Sequence, residues 1–163
     1  MDTSTAESTQ AGQAPQRPRR HSRQVTLRHT VDGVEHETKI GGGAPITVQS
    51  MTTGKTHDVE GCLAEGRELA EAGADVVRVA VPRPEDADAL AAIVAGSPVP
   101  IVADIHFNHQ YALTALKAGV AKVRINPGNI GKPEWEREVL RAAKDLGVPI
   151  RIGVNGGSLE KDL

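Results

Sequence analysis

The sequence predicts a parallel α/β fold, and three observations support this prediction. Short apolar runs rich in Val and Ile alternate with amphipathic segments of helical period. The runs recur about every 22–30 residues, which is the length of a strand–helix–strand unit with its connections. Glycine follows the predicted helices at Gly73, Gly119 and Gly147, where a helix commonly ends in a left-handed residue.

Five strands and four helices are predicted in alternation. The strands are 45–50, 75–81, 99–106, 121–126 and 149–154, and the helices are 58–72, 84–95, 108–118 and 133–146. Asp58 is suited to cap the first helix, and Pro84 and Pro133 fit the first helical position. A short hairpin is predicted at 25–40, around the turn residues Asp32 and Gly33.

Composition limits the classes of function. Residues 1–23 are rich in Ser, Thr, Gln, Pro and Arg, which predicts a disordered leader before a folded region at 24–163. A formal net charge of −2 and an aromatic content of 2% give no support to nucleic-acid binding. No apolar run is long enough to span a bilayer, so no membrane association is predicted. The single cysteine, Cys62, excludes an internal disulfide framework. We therefore expect a cytoplasmic bacterial protein, with a plastid protein as the alternative.

Two parallel α/β folds fit this order of elements. Five strands complete a flavodoxin-like, doubly wound sheet, and they equally form the first part of a TIM-type (β/α)8 barrel. The positions of polar residues favour the barrel, because a barrel mouth collects side chains from several strand ends. A doubly wound sheet concentrates them at one switch point. We therefore predict the first part of a barrel, with the doubly wound sheet as the alternative.

Charged or amide side chains occur near the C-terminal ends of successive predicted strands. They are Arg78, Asp104, His106, Arg124, Asn126, Arg151 and Asn155. Those that share a strand are separated by an even number of residues and therefore face the same side. Charged residues are normally excluded from parallel strands, because both faces pack against apolar side chains. Three arginines against one aspartate leave excess positive charge, which favours a small anion with more than one phosphate charge over a purely structural network.

Two other signals are weaker. The segment TGKT at 53–56 looks like the end of a P-loop, but Gln49 occupies the position of its first glycine. Asp104, His106 and His109 are residue types that ligate metals. However, His109 falls on the following predicted helix, so no metal site is predicted.

Five ordered segments resemble one enzyme family. They are GGGAPITVQSMT, ADVVRVAVP, VPIVADIHF, VRINPGNIG and VPIRIGVNGGSLEKDL. Together they resemble the 4-hydroxy-3-methylbut-2-enyl diphosphate synthases of the methylerythritol phosphate pathway of isoprenoid biosynthesis. The resemblance extends from about Arg19 to Leu163. Small departures occur at 54–55 and at Gly156, where the family commonly has other residues.

The resemblance implies an oxidoreductase that opens the ring of 2-C-methyl-D-erythritol 2,4-cyclodiphosphate by two-electron reduction. It implies Asp104 and His106 as catalytic residues, and Arg78, Arg124, Asn126, Arg151 and Asn155 as substrate-binding residues. It also implies a [4Fe–4S] cluster, flavodoxin or ferredoxin as electron donor, and a homodimer of the full-length enzyme.

The family's cluster ligands lie in a C-terminal iron–sulfur domain that this chain lacks. We therefore interpret the chain as the N-terminal portion of such an enzyme and expect it to be inactive alone. Two alternatives stay open. One is a truncated barrel segment without catalytic role, and the other is a phosphate-binding barrel transferase or lyase.

Overall fold

The computed structural model describes residues 20–154, with elements numbered here in chain order. The strands are β1 (Val25–Val31), β2 (Val34–Ile40), β3 (Gln49–Met51), β4 (Val76–Val81), β5 (Ile101–Ile105), β6 (Lys122–Ile125) and β7 (Ile150–Ile152). The helices are α1 (Val59–Glu71), α2 (Pro84–Gly96), α3 (His109–Lys117), α4 (Pro127–Ile130) and α5 (Pro133–Asp145). Most of the predicted leader and the candidate residue Asn155 lie outside the described residues.

Strands β3 to β7 form one parallel sheet in the order β3-β4-β5-β6-β7. Each strand therefore pairs with the strand that precedes it along the chain, and a helix lies in every connection. A doubly wound sheet needs a point where the strand order reverses, and β3 to β7 contain no such point. The barrel order predicted from the sequence is confirmed, and the doubly wound alternative is wrong.

One face of this sheet, here called the outer face, carries the main hydrophobic core beneath the helices. Its strand residues are Val77, Val79, Val81, Ile101, Ala103, Ile105, Val123 and Ile125. Helical residues packed into the same core include Cys62, Leu90, Leu116 and Val139. Because side chains alternate along a strand, the residues between these positions lie on the opposite, inner face. That face carries the polar residues of β4, β5 and β6.

The hairpin of β1 and β2 covers the N-terminal end of the sheet. Asp32 and Gly33 form its turn with φ of 51° and 78°, the left-handed values that a tight type I′ turn requires. Leu27 of β1 is fully buried and packs with Val76 and Val102, near the N-terminal ends of β4 and β5. This packing leaves the C-terminal ends of the strands as the open end of the inner face.

The helix boundaries agree with the predicted ones to within one residue, because capping chemistry defines them. Asp58 precedes α1, and its carboxylate accepts a hydrogen bond from the Gly61 amide at 3.2 Å. Asn108 precedes α3 and accepts one from the Gln110 amide at 2.9 Å. Within residues 20–154, no helix combines the length and apolar character needed to cross a membrane.

Two details of the predicted elements are wrong. The first strand of the sheet begins at Gln49 and not at residue 45. Pro45 has no N–H to donate, and the Val48 N–H donates to a carboxylate oxygen of Asp75 at 2.8 Å instead of to a strand. No helix is predicted between the fourth strand and residue 133, but Pro127–Ile130 form the short helix α4, which Asn126 caps.

Candidate anion site at the C-terminal strand ends

Strand register brings four of the predicted site residues onto the inner face. Asp104 of β5 is paired with Arg124 of β6, and Arg124 is paired with Arg151 of β7. Arg78 of β4 lies two residues before Ala80, the residue that pairs with Asp104. Because the period of a strand is two, all four side chains belong to one face.

Asp104 is the centre of this group. Its side chain is only 5% exposed, and its Oδ1 accepts a hydrogen bond from Arg124 Nη1 at 2.9 Å. Its Oδ2 lies 3.6 Å from Arg78 Nε and 3.6 Å from His106 Nε2. One carboxylate thus stands between two guanidinium groups, and positive charge exceeds negative charge at this point.

A glycine on β7's C-terminal side holds Arg124 in place. Arg124 is 14% exposed and donates from Nη2 to the Gly153 carbonyl at 3.4 Å. A Cβ at Gly153 would lie 2.7 Å from Arg124 Nε, closer than real side chains approach. Any larger residue at Gly153 would therefore displace the guanidinium from Asp104.

Arg78 has a second partner, the uncharged thioether of Met51. Its Nε and Nη2 lie 3.2 Å and 3.0 Å from the thioether sulfur of Met51 on β3. A thioether is a weak acceptor and carries no charge. Met51 therefore orients the Arg78 guanidinium and leaves its charge uncompensated.

His106 follows β5 directly and reaches the same carboxylate. Its Nε2 is buried and makes no hydrogen bond within the described residues, although Asp104 Oδ2 lies 3.6 Å away. The next residue, Phe107, has a left-handed φ of 62° and is 68% exposed. A buried ring nitrogen beside a strained loop residue is the kind of group that a bound ligand satisfies.

The remaining predicted residues differ in their surroundings. Arg151 is exposed on the edge strand β7. Asn126 is buried, and its Oδ1 accepts a hydrogen bond from the Gly128 amide at 3.2 Å, so this atom caps α4. Sequence reasoning missed Lys122, a buried lysine on the same face of β6 as Arg124 and Asn126. The sequence does contain a signal for it, because Lys122 lies two residues before Arg124 and the strand period places both on one face.

The TGKT segment has its amides occupied by a side chain of α1. The Glu65 carboxylate accepts hydrogen bonds from the Thr53 amide at 2.7 Å, the Thr53 hydroxyl at 2.8 Å and the Gly54 amide at 3.1 Å. A P-loop uses such amides to bind phosphate, so the structure agrees with the rejection of that interpretation. Among residues 20–154, no group of three or more His, Cys, Asp or Glu side chains is placed to hold a metal ion.

Comparison with known proteins assigns the chain to a family. The family model described as the GcpE TIM-barrel domain matches residues 32–163. The chain belongs to the GcpE family.

Relatives of this GcpE chain carry one name. It is 60% identical over 125 residues to the 4-hydroxy-3-methylbut-2-en-1-yl diphosphate synthase (flavodoxin) of Aquifex aeolicus, an alignment covering 77% of this chain and 35% of that protein. It is 53% identical over 148 residues to the protein of the same name from Acidothermus cellulolyticus, covering 90% of this chain and 36% of that protein. The family resemblance inferred from sequence motifs is confirmed. The chain spans little more than a third of the length of these relatives.

A solved structure supports the fold alone. Dihydropteroate synthase of Xanthomonas albilineans superposes with a TM-score of 0.53 at 23% identity, covering 85% of this GcpE chain and 53% of that one. Identity this low gives no information on substrate.

The residues present do not fit the iron–sulfur cluster that the family resemblance implies. A [4Fe–4S] cluster is held chiefly by cysteine thiolates, and the sequence contains one cysteine. That residue, Cys62, is buried in the outer-face core, where burial raises the pKa of its thiol.

Proposed function

We propose that this chain binds 2-C-methyl-D-erythritol 2,4-cyclodiphosphate at the C-terminal ends of β4 to β7, as the N-terminal barrel portion of a flavodoxin-dependent 4-hydroxy-3-methylbut-2-enyl diphosphate synthase. The observation that carries the proposal is the pairing of Arg78 and Arg124 with the single carboxylate of Asp104. The names of the relatives give a diphosphate product and flavodoxin, and the family resemblance implies the cyclic diphosphate as substrate.

The charge balance of the site favours an anionic ligand over a structural network. Asp104 neutralises one of its two arginine neighbours, and Arg151 adds a third guanidinium on the same face. Burying an uncompensated guanidinium is costly, and a bound anion removes that cost. Guanidinium groups bind phosphate oxygens through two parallel N–H donors. A cyclic diphosphate therefore matches both the charge and the donor geometry.

Each side chain then has a distinct role. Arg78, Arg124 and Arg151 bind the diphosphate, and Asp104 orients two of these guanidinium groups toward it. The buried Nε2 of His106 faces a hydroxyl or phosphate oxygen of the substrate and exchanges a proton with it. Asn126 and Asn155 complete the set, and the side-chain oxygen of Asn126 caps α4.

The reductive step lies outside what these residues do. In the family, a [4Fe–4S] cluster would supply the two electrons, and the single cysteine of this chain, Cys62, is too few thiolates to hold it. We therefore expect the 163-residue chain to bind the cyclic diphosphate without reducing it. Reconstitution with iron and sulfide should yield no stable cluster. The visible absorbance of sulfur-to-iron charge transfer measures whether a cluster has formed. A stable cluster would contradict the proposal.

Calorimetric titration of the 163-residue chain with the cyclic diphosphate tests the binding site. Arg151→Met should weaken binding roughly tenfold or more, because it removes a charge-assisted contact. Arg151 has no carboxylate partner among residues 20–154, so this variant should fold normally. Arg124→Met should weaken binding further, and Arg137→Met on exposed α5 serves as the matched control. Equal affinity for all three variants and the parent chain would overturn the proposal.

A further inference from the structure

Lys122 occupies an unusual place for a lysine. It begins β6, lies on the inner face opposite Val102, and is only 8% exposed. It lines a cavity of about 420 Å³ at the side of the sheet near β2 and β3. Of the mouth residues described above, only Arg151 also lines this cavity. Neither Asp104 nor Arg124 lines this cavity.

No carboxylate of residues 20–154 compensates this buried cation. The described side chains that line the cavity with Lys122 and Arg151 are neutral, and Gln49 is a polar one among them. The charges that act on Lys122 are those of Arg151 and Arg78, and both are positive. Burial lowers the pKa of Lys122, and these two arginines lower it further.

Such a lysine is explained by an oxyanion in the cavity. A buried ammonium with cationic neighbours is unfavourable unless an anion or strong acceptor is present. Lys122 brings up to three N–H donors on a flexible stem, and Arg151 brings a planar fork of donors. Donors of this number and sign match the tetrahedral oxygens of phosphate better than a neutral ligand.

We propose that Lys122 and Arg151 form a second oxyanion site inside the barrel, and that it takes a phosphate-type dianion. The site has its own cavity and its own buried cation, so it goes beyond the binding of cyclic diphosphate at the mouth. Arg151 is the residue that the two sites share.

Inorganic phosphate is the probe for this site. Thermal unfolding of the 163-residue chain is followed at pH 8, where phosphate is a dianion, with sodium chloride added to keep ionic strength constant. Phosphate should raise the unfolding midpoint of the parent chain, because a ligand that binds the native state stabilises it. In Lys122→Met, phosphate affinity should fall roughly tenfold or more. Lys117→Met, on the exposed end of α3, is the control and should respond like the parent.

The stability of Lys122→Met without phosphate distinguishes a binding role of Lys122 from a structural role. Lys122→Met should be at least as stable as the parent chain without phosphate, because a buried like-charged group has been removed. A less stable Lys122→Met variant whose midpoint still rises with phosphate would overturn the proposal. So would a phosphate response that Arg124→Met abolishes and Lys122→Met retains, because phosphate would then bind at the mouth alone.

Chemical protection gives a test that needs no variant. Acetylation of the parent chain with acetic anhydride, read by mass spectrometry, should slow at Lys122 when phosphate is present and stay unchanged at Lys117. Unchanged acetylation of Lys122 would overturn the proposal even if the Lys122→Met variant failed to fold. The cyclic diphosphate titration of Arg124→Met is independent of this result, because Arg124 does not line the cavity, so failure of one site leaves the other testable.

Discussion

On β4, Val77, Val79 and Val81 are fully buried beneath the helices, while Arg78 faces the opposite side of the same strand. The outer face has the apolar character expected of a parallel sheet covered by helices. The inner face contains Asp104 in contact with both Arg78 and Arg124. The outer face thus accounts for the stability of the fold, and the inner face carries charge that packing does not require.

The largest expected effect comes from breaking the outer face. Leu90 of α2 is completely buried in the main core. Leu90→Ala should lower the free energy of unfolding by about 3 kcal/mol, because a buried cavity replaces the removed methyl groups. Urea denaturation measures this loss. Leu146→Ala, at a site that is 57% exposed, is the control and should change stability by less than about 0.5 kcal/mol.

The Leu90→Ala variant also tests whether the outer face affects anion binding at the inner face. If only the inner face binds anions, folded Leu90→Ala should keep the affinity of the parent chain for the cyclic diphosphate. A loss of affinity at temperatures where the variant is fully folded would mean that the two faces are coupled.

A smaller effect on stability is expected from breaking the inner face at Asp104. Asp104→Asn removes the one carboxylate between Arg78 and Arg124, and we expect a loss of about 2 kcal/mol because two charge-assisted contacts weaken. Unlike Leu90→Ala, this variant should recover stability on addition of pyrophosphate, because the anion replaces the missing charge. Chemical unfolding with and without pyrophosphate measures both effects.

Asp88→Asn, on the exposed side of α2, removes the same charge at a distance from the site. It should change neither the stability nor the pyrophosphate response. An Asp104→Asn variant as stable as the parent chain would show that the arginines need no counter-charge here.

Local chemistry explains why most of the fold was predictable. The turn at Asp32 and Gly33 needs two left-handed residues, and Asp-Gly supplies them. Asp58 and Asn108 cap helices through bonds to amides two or three residues away. These signals act over a few residues, so the sequence displays them directly. The same is true of the strand period that places Arg78, Asp104 and Arg124 on one face.

Features that depend on distant contacts were missed. Asp86 is buried at the start of α2 and accepts hydrogen bonds at 2.9 Å from both the His57 amide and the His57 ring. Thr56 donates to the Ala80 carbonyl at 2.6 Å. These bonds join segments more than twenty residues apart, so no local sequence pattern predicts them. Lys122 was missed because a lysine is ordinarily exposed.

The smallest expected effect concerns the loop between β3 and α1. Glu65 projects from α1 and binds the amides of Thr53 and Gly54 after β3. Burial acts to raise the pKa of Glu65, and the hydrogen bonds from these two residues outweigh it and hold the pKa below its ordinary value. A carboxyl with a depressed pKa stabilises the fold above its unfolded pKa. That contribution is lost as the pH falls through the folded pKa.

Glu65→Gln should therefore lower stability by about 1 kcal/mol at pH 7, because a charged acceptor becomes a neutral one. The difference between the parent chain and Glu65→Gln should shrink as the pH falls through the lowered pKa of Glu65, where the parent carboxyl also becomes neutral. Urea denaturation across this pH range measures it, with Glu68→Gln on the exposed side of α1 as the control. A difference independent of pH would mean that Glu65 acts through packing and not through its charge. The loop after β3 would then be held by packing, as the outer face is.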